Sequence, residues 1–411
     1  MAGIRAVFLL SGAALGVFYP FVAVLLASRG FSPAAIGVVM AASALAFTLF
    51  VPLWSHLADV SLGRRRALVV AGVGSAGFVL AAGLPLPAVL LGACFVGFSA
   101  FECSWGPLSD ALAVNAVRDQ VREYGRIRLL ASLGFAIAVT TAGYLYDLTG
   151  YGPAYFLCFV LALALAASAV FAPDIARADL AAIAHRAGDE GGGPGRGGSF
   201  AVALRVQPRL RGVLLPILLA HLGVIAGFTF LPLRIVALGG QPSDVALSAA
   251  VSAFAEIPAM LVAGAVAARI GLRGLFALST ATYAACFVSW IVADVPALII
   301  ASRVATGFAY GGMWIASVLT MSVLLPPRLQ ATGQGLYQVA AYGGAAVLAN
   351  IVGGVVYGSL GSGELFAGAA VLAVAASVAS LAWLPRRGEA PMTEPESAPG
   401  APLPLAPTTT G

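Results

Sequence analysis

The sequence predicts an all-α integral membrane protein in which twelve transmembrane helices form two related six-helix bundles. Of the 411 residues, 60% are hydrophobic and only 9% are charged, whereas a soluble protein carries about 25% charged residues. Apolar runs of about 20 residues, the length that spans a bilayer, recur along the whole chain. In addition, the second half repeats features of the first half at a constant distance.

A transmembrane helix is predicted wherever an apolar run is bounded by charged residues or by breaks that contain Pro and Gly, such as SRGFSP (28–33) and ADVP (293–296). The first run resembles a signal peptide, but it is long enough to span a bilayer and other spans follow it, so an uncleaved first helix is expected. The predicted helices are centred near Ala14, Ala46, Ser75, Cys94–Phe101, Ala138, Ala162, Leu222, Phe254, Ala284, Tyr310, Val347 and Val374.

The placement of the arginines predicts the orientation in the membrane. All 22 basic residues are arginines, and 19 of them fall in one set of loops and tails, against Arg29 and Arg234 on the opposite side and Arg303 within a helix. Because basic residues accumulate on the cytoplasmic side, both termini are expected in the cytoplasm. The excess of Ala, Gly and Arg is typical of a high-GC bacterial genome, so the expected location is a bacterial inner membrane.

The chain divides into two bundles joined by a polar segment. Residues 1–172 and 210–385 hold six predicted helices each, and residues 173–209 form a cytoplasmic linker whose core, Gly188–Gly198, is Gly-rich. Residues 386–411 are rich in Pro, Ala and Thr and are expected to be a disordered cytoplasmic tail.

The two bundles are related by an internal repeat. GFSAFECSW (97–105) and GFAYGGMWI (307–315) begin 210 residues apart, and Gly134 and Gly344 share that offset. Parallel repeats of six helices, joined by a long cytoplasmic loop, are the layout of secondary transporters whose two halves rock against each other.

The composition excludes several other classes of protein. Without any lysine the chain has no Walker A lysine and no residue for a Schiff base, and its four cysteines lie singly in apolar runs without metal-ligand spacing. We therefore expect no enzymatic activity, no metal and no cofactor, and we expect a proton gradient to be the source of energy. The expected partners are a small-molecule solute, protons and the lipid bilayer, with no nucleic acid, and the expected oligomeric state is a monomer.

The loop after the second predicted helix, SHLADVSLGRRRALV (55–69), resembles the signature loop G-x-L-A-D-R-x-G-R-R of the major facilitator superfamily. Ser55 stands in place of the family's glycine, Val60 in place of its arginine, and one extra residue separates Asp59 from the next glycine. The resemblance covers nearly the whole chain. It implies twelve helices, alternating access, and a cytoplasmic gate formed by Asp59 with Arg64 and Arg65.

Within the superfamily, PLSDALAV (107–114) followed by YGRIRLLASLGF (124–135) is similar to the lactose, nucleoside and phenylpropionate proton symporters. That branch holds a carboxylate and an arginine eighteen residues apart that bind substrate, and Asp110 and Arg128 stand at this spacing. Its proton coupling uses an arginine in the ninth helix and a histidine and a glutamate in the tenth. The tenth-helix positions here are Thr306 and Ala309, so other residues must supply any coupling.

The two arginines of this stretch lie on different helical faces. The face of Arg128 continues through Ser132 and Phe135, whereas the face of Arg126 is entirely apolar. We expect Arg128 to face the interior with Asp110 as its counter-ion, and Arg126 to reach the cytoplasmic interface. Alternatively, both are interfacial arginines.

Three residues are candidates for proton coupling: Glu256, Glu102 and His221. A carboxylate within a span is costly, about 2.5–3.5 kcal/mol, and one in low-dielectric surroundings can hold a proton near neutral pH, as coupling requires. Glu256, deep in the eighth helix, is the first choice. Glu102 lies eight residues before Asp110, so both are expected on one face at different depths. The alternatives are structural hydrogen bonds for Glu256, a surface position for Asp110 and simple packing for His221.

A polar stripe on the tenth helix suggests part of the substrate site. Arg303, Tyr310 and Trp314 share one face, which suits an aromatic or carboxylate substrate; alternatively, Arg303 reaches outward to Asp294. On the eleventh helix Gln338 belongs to a second polar stripe, which either lines a cavity or forms hydrogen bonds between helices. Arg303, Tyr310, Trp314 and Gln338 join Asp110, Arg128 and Phe135 as candidate substrate-binding residues.

These observations predict a proton-coupled importer of a small organic solute such as an aromatic acid, a nucleoside or a sugar. Two alternatives remain open at this point. One is an exporter of drugs or metabolites driven by proton antiport. The other is a membrane sensor that uses the same fold without transport, against which the charges within several helices argue.

Overall fold

The computed structural model describes residues 1–116, 120–172, 200–326 and 329–389, and within these ranges the chain is helical without a β-strand. In the described ranges, eleven helical runs are long and apolar enough to cross a membrane, and the longest divides at Gly271 into two, which gives twelve helices in agreement with the sequence. They are α1 (Ala2–Ser28), α2 (Pro33–Leu62), α3 (Arg64–Ala82), α4 (Ala88–Val114), α5 (Tyr124–Thr149), α6 (Pro153–Val170), α7 (Leu210–Ala237), α8 (242–270), α9 (272–292), α10 (Pro296–Leu324), α11 (Thr332–Ser359) and α12 (Ser362–Trp383).

Helices α8 and α9 meet at a single residue rather than at a loop. Pro242–Val292 is one run of 51 residues with a non-helical backbone at Gly271, where φ is 77°. Glycine alone adopts this conformation at little cost. The sequence predicts the turn in this place because AARIGLRG (267–274) interrupts the apolar pattern.

Each half packs mainly within itself. In the first half α1 packs on α5 and α6, and α3 on α4 and α6; in the second half α7 packs on α11 and α12, and α8 and α9 on α10 and α12. The halves meet mainly along two pairs of helices, α2 with α11 and α5 with α8, and α1 makes smaller contacts with α7 and α8.

The close contacts between the halves lie at the end of the bundle that the arginine placement predicts to be outside. A methyl group placed on Gly37 of α2 would lie 2.2 Å from the carbonyl oxygen of Asn350 in α11. A methyl group on Gly143 of α5 would lie 2.4 Å from Cβ of Ala246 in α8. These small residues allow the backbones to approach closely, as small residues do in membrane helix pairs, and they close the predicted outer end.

The helical segments at the predicted inner end make their main contacts within their own halves. In α4 the segment Trp105–Ala116 packs on helices of the first half, and in α11 the segment Gln330–Gln338 packs on α10 and on the short helix Phe200–Val206 that precedes α7. Among the described residues, the closest contacts between the halves therefore lie at the predicted outer end.

Three helices depart from regular α geometry near the middle of the bundle. Helix α1 has a 3₁₀ turn at Tyr19–Phe21, α4 is interrupted at residues 103–104, and α11 has a π-helical segment at Val339–Gly344. Irregular backbone at membrane depth persists only where it is buried in protein or lines a cavity, so these departures indicate the position of a site.

The described residues include little of the predicted linker and only the beginning of the predicted tail. Most of the linker, residues 173–199, lies outside the described residues, as does the tail after residue 389. The first residues of the predicted disordered tail are instead packed on the bundle: the guanidinium of Arg209 donates hydrogen bonds to the carboxylate of Glu389 and to the backbone oxygens of Trp383 and Leu384.

Candidate functional site

A cavity of about 670 Å³ lies between the two halves. It is lined by α1, α2, α4 and α5 of the first half and by α7, α8 and α10 of the second. Its walls are mainly apolar and aromatic. The polar side chains among its lining residues are Tyr19, Glu102, Thr229, Ser248, Arg303 and Tyr310.

The cavity lies within the membrane-spanning region rather than at its surface. Glu102, Phe135 and Tyr310 line it from α4, α5 and α10, and each stands 14 positions from the predicted outer end of its helix. At about 1.5 Å per residue this is about 21 Å from the end of helices that are about 39–44 Å long, so the cavity lies about halfway along them. A large mid-membrane cavity between repeats is where secondary transporters bind their substrates.

Glu102 is the carboxylate of the cavity, and it is only 7% exposed. Its Oε2 atom is buried without a hydrogen-bond partner. It is the last residue of the Ala88–Glu102 segment, directly before the interruption of α4. A buried carboxyl group with a free oxygen on a cavity wall can bind a proton, a substrate hydroxyl or both.

Arg303 is the cationic side chain of the cavity and it is also 7% exposed. Its Nε donates to the backbone oxygen of Ser248 at 3.1 Å and its Nη1 donates to Oγ1 of Thr306 at 2.9 Å. The guanidinium lies 4.2 Å from the ring centroid of Phe228, a cation–π contact. Of the two orientations that the sequence leaves open, the structure has the inward one, without a hydrogen bond or ion pair to Asp294.

An aromatic cluster lies beside the cavity in the second half. The hydroxyls of Tyr310 and Tyr342 are hydrogen-bonded at 2.9 Å. The buried ring of His221 lies edge-on to Tyr342, with centroids 5.2 Å apart, and edge-on to Tyr337 at 5.9 Å. His221 Nδ1 lies 2.8 Å from the backbone oxygen of Ile217, and its Nε2 has no hydrogen-bond partner.

Two candidates of the polar stripes lie near this cluster without lining the cavity. Trp314 is half-buried and Gln338 is exposed, and neither is among the lining residues. The π-helical segment that contains Tyr342 begins directly after Gln338. The cavity therefore receives Arg303 and Tyr310 from the predicted stripe, whereas Trp314 and Gln338 stand outside its wall.

Glu256 is half-buried in α8 and does not line the cavity. It lies within electrostatic range of the hydroxyls of Tyr310, Tyr342 and Tyr283. The hydrogen-bonded pair of Tyr310 and Tyr342 thus stands near both the cavity and Glu256, because Tyr310 itself lines the cavity.

Asp110 and Arg128 do not form an ion pair in this structure, although sequence spacing predicts one. The carboxylate of Asp110 accepts a hydrogen bond from the hydroxyl of Tyr124, and its Oδ1 is buried without a hydrogen-bond partner. Arg128 is exposed on the same side of α5 as Phe135, which does line the cavity. Arg128 itself is not among the lining residues, and the direct contact between the two charges is absent.

The predicted gate residues lie together in the turn between α2 and α3. Nε of Arg64 lies 3.3 Å from Oδ1 of Asp59, with the carboxylate side chain 57% exposed. The pair belongs to a single half, so it does not itself join the two halves. Arg65 also lies in this turn, at the beginning of α3.

Several lining residues were not singled out from the sequence. Tyr19, Phe228 and Thr229 line the cavity close to Pro20 and Pro232, which also line it. A proline within a transmembrane helix marks irregular or solvated backbone, and this signal points to α1 and α7. Across the described ranges, no three His, Cys, Asp or Glu side chains lie close enough together to hold a metal ion.

Comparisons with known proteins agree with this architecture. The sequence model of the MFS_1 like family matches residues 2–367. A maltose permease of Geobacillus stearothermophilus is 29% identical over 348 residues, which is 83% of this chain and 84% of the permease.

Two solved structures share the fold. The nucleoside transporter NupG has a TM-score of 0.74 at 18% identity, covering 93% of this chain and 98% of its own. A D-xylose-proton symporter has a TM-score of 0.70 at 12% identity, covering 95% of this chain and 98% of its own.

Proposed function

The chain belongs to the MFS_1 like family and is a major facilitator superfamily transporter, and from that premise we propose that it imports a small neutral, polyhydroxylated solute together with protons. The single observation that carries the proposal is the mid-membrane cavity, which the buried carboxyl group of Glu102 lines together with aromatic side chains.

The cavity chemistry favours a sugar or a nucleoside over an aromatic acid. Sugar rings and nucleobases pack on aromatic faces such as Phe228 and Tyr310, while their hydroxyls need a few well-placed acceptors. Glu102 offers such an acceptor. An aromatic acid would instead bring a second negative charge into a cavity that Glu102 already lines, and two of the five N–H donors of Arg303 are already bonded to Ser248 and Thr306.

The similar proteins support the same substrate class without deciding it. By their names, one transports maltose, one nucleosides and one D-xylose with protons. These solutes are neutral and carry several hydroxyl groups. The overlap between the names and the cavity chemistry is the reason for choosing this class among those open from the sequence.

Proton coupling is proposed because the cavity contains a carboxyl group that can exist in two protonation states. When Glu102 or Glu256 is protonated, a buried charge is removed, and substrate and proton can cross the membrane together. The proton gradient across a bacterial inner membrane would then drive uptake.

The experiment uses purified protein in liposomes with a pH gradient imposed as the only driving force. Labelled maltose, xylose, uridine and benzoate are supplied separately. Accumulation of a neutral solute above equilibrium, abolished by a protonophore, supports the proposal. Accumulation of benzoate alone, above the passive accumulation in protein-free liposomes, or efflux of solute against an inward proton gradient, contradicts it in favour of an acid carrier or an antiporter. Failure to exchange any solute would favour a sensor.

A further inference from the structure

A second cavity, of about 480 Å³, lies between the beginning of α1 and the predicted inner end of α5. Its lining residues are Met1, Arg5, Arg126, Ile127 and Leu130. It is separate from the central cavity and shares no lining residue with it.

The geometry of α5 places the second cavity on the outside of the bundle. Gly134 of α5 packs against α1, since a methyl group there would lie 2.1 Å from the backbone oxygen of Leu9. Phe135 lines the central cavity. Arg126, Leu133 and Ile137 lie on the opposite side of α5 from Phe135, because successive residues turn by 100°.

The side chains along this opposite side are suited to contact with lipid. Leu133 is 46% exposed and Ile137 is 54% exposed, although both lie within a membrane-spanning helix. Leu130 continues the same stripe into the second cavity. Apolar side chains exposed at membrane depth, away from the central cavity, contact acyl chains.

Among the described residues, the charged side chains that line the second cavity are both arginines. Arg5 and Arg126 both line it, and neither guanidinium forms an ion pair with a carboxylate whose position the structure describes. Two guanidinium groups beside one cavity repel each other unless an anion lies between them. A phosphate accepts hydrogen bonds from two such groups in the favoured planar geometry.

We propose that this cavity binds an anionic phospholipid, whose phosphate contacts Arg5 and Arg126 and whose acyl chain lies along Leu130, Leu133 and Ile137. A soluble phosphate would use the two arginines but not the apolar stripe that runs from the same cavity into the membrane. Basic pockets between transmembrane helices on the cytoplasmic side bind lipid headgroups in this way.

The lipid would join α1 to α5 within the first half of the protein. Both helices move together if the halves rock as rigid bodies, so the bound lipid should affect the stability of the first half more than the conformational equilibrium. The site is independent of the proposed substrate, because none of its residues lines the central cavity.

The test measures lipid binding to the full-length protein in detergent by native mass spectrometry. Dioleoylphosphatidylglycerol and dioleoylphosphatidylcholine are titrated separately, with soluble glycerol 1-phosphate in a third arm. The wild type should bind the anionic phosphatidylglycerol more tightly than the zwitterionic phosphatidylcholine. Each arginine near an anionic surface contributes a factor of about five to affinity, so Arg5→Gln with Arg126→Gln should weaken phosphatidylglycerol binding about 25-fold.

Matched variants separate charge from folding. Arg5→Lys with Arg126→Lys keeps both charges and should retain most of the preference for the anionic lipid. Arg211→Gln removes an exposed arginine outside the cavity and should bind phosphatidylglycerol like the wild type. If the double Gln variant does not fold, the single Arg126→Gln variant should bind phosphatidylglycerol about five-fold more weakly. Unchanged phosphatidylglycerol binding in the Gln variants would overturn the proposal, as would glycerol 1-phosphate binding as tightly as the lipid.

Discussion

The carboxylate of Asp147 in α5 accepts a 2.8 Å hydrogen bond from the backbone N–H of Ser243, in the first turn of α8. This bond joins the two halves at the predicted outer end. The acceptor is an anion placed at a helix N-terminus, where the free N–H groups and the helix dipole favour negative charge. Opening of the outer end must break it.

Asp147→Ala should shift the protein toward outward-open conformations. Loss of a partly exposed, charge-assisted hydrogen bond costs about 1 kcal/mol, which is about a five-fold change in population. Spin labels at Leu148 and Val292, exposed positions in the two halves near this end, would report the change as longer distances in pulsed electron resonance.

Ser243→Ala is the matched control, because the donor is the backbone N–H and remains in place. It should leave the distance distribution as in the wild type. Equal distributions for wild type and Asp147→Ala would show that the bond does not contribute to closure.

Gly37→Ala should hinder outer closure by a steric route. The added methyl group would lie 2.2 Å from the backbone oxygen of Asn350, so α2 and α11 would have to separate. We expect a reduced rate of solute uptake in vesicles with normal yield of folded protein. The control is Gly77→Ala, at a position where a methyl group meets no atom within 4 Å, and it should transport normally. An equally low uptake rate in this control would mean that replacing glycine in a helix, and not the contact with Asn350, causes the loss of transport.

The number of helices could be predicted from the sequence because each apolar run must satisfy its backbone hydrogen bonds internally in lipid. The turn at Gly271 could be predicted as well, from the polar and glycine residues around it. The contact of Asp147 with Ser243 could not be predicted, because it joins residues 96 positions apart in the sequence and depends on how the two halves pack together.

The interruption of α4 limits how far residue counting could predict the site. Counting 100° per residue places Glu102 and Asp110 on one face, but the helix is interrupted at residues 103–104 between them. Glu102 consequently lines the cavity while Asp110 contacts Tyr124. For Arg303 the sequence left two orientations open, and only the packing against Phe228 distinguishes them.

The contact between Arg209 and Glu389 should make a small, pH-dependent contribution to stability. Burial raises the pKa of Glu389, but hydrogen bonds from the backbone N–H of Arg386 and from the Arg209 guanidinium outweigh it and hold the pKa below the ordinary value of 4.5. Because the folded-state pKa is depressed, the contribution is complete above the unfolded-state pKa and is lost as pH falls through the folded-state pKa.

Glu389→Gln should therefore lower Tm at pH 7, by the equivalent of at most about 1 kcal/mol for a partly exposed pair. The difference from the wild type should vanish in acid, below pH 4.5. Asp294→Asn, which removes an exposed carboxylate from the other end of the bundle, should show no such pH-dependent difference. A Tm difference for Glu389→Gln that persists unchanged into acid would mean that packing, not charge, accounts for it.

Glu102 and Glu256 should differ in what their amide variants lose. Glu256 lies outside the cavity wall, whereas Glu102 lines it. Glutamine mimics a carboxyl group that cannot release its proton. Glu256→Gln should therefore abolish uphill accumulation driven by a pH gradient but retain counterflow exchange of labelled solute, since exchange needs no proton release.

Glu102→Gln should weaken solute binding, whereas Glu256→Gln should not. The weaker binding appears as a raised KM for counterflow, because the carboxyl group of Glu102 is proposed to accept hydrogen bonds from substrate hydroxyls. Gradient-driven accumulation by Glu256→Gln would assign the proton site to Glu102 or His221, and a normal KM in Glu102→Gln would remove Glu102 from the substrate site.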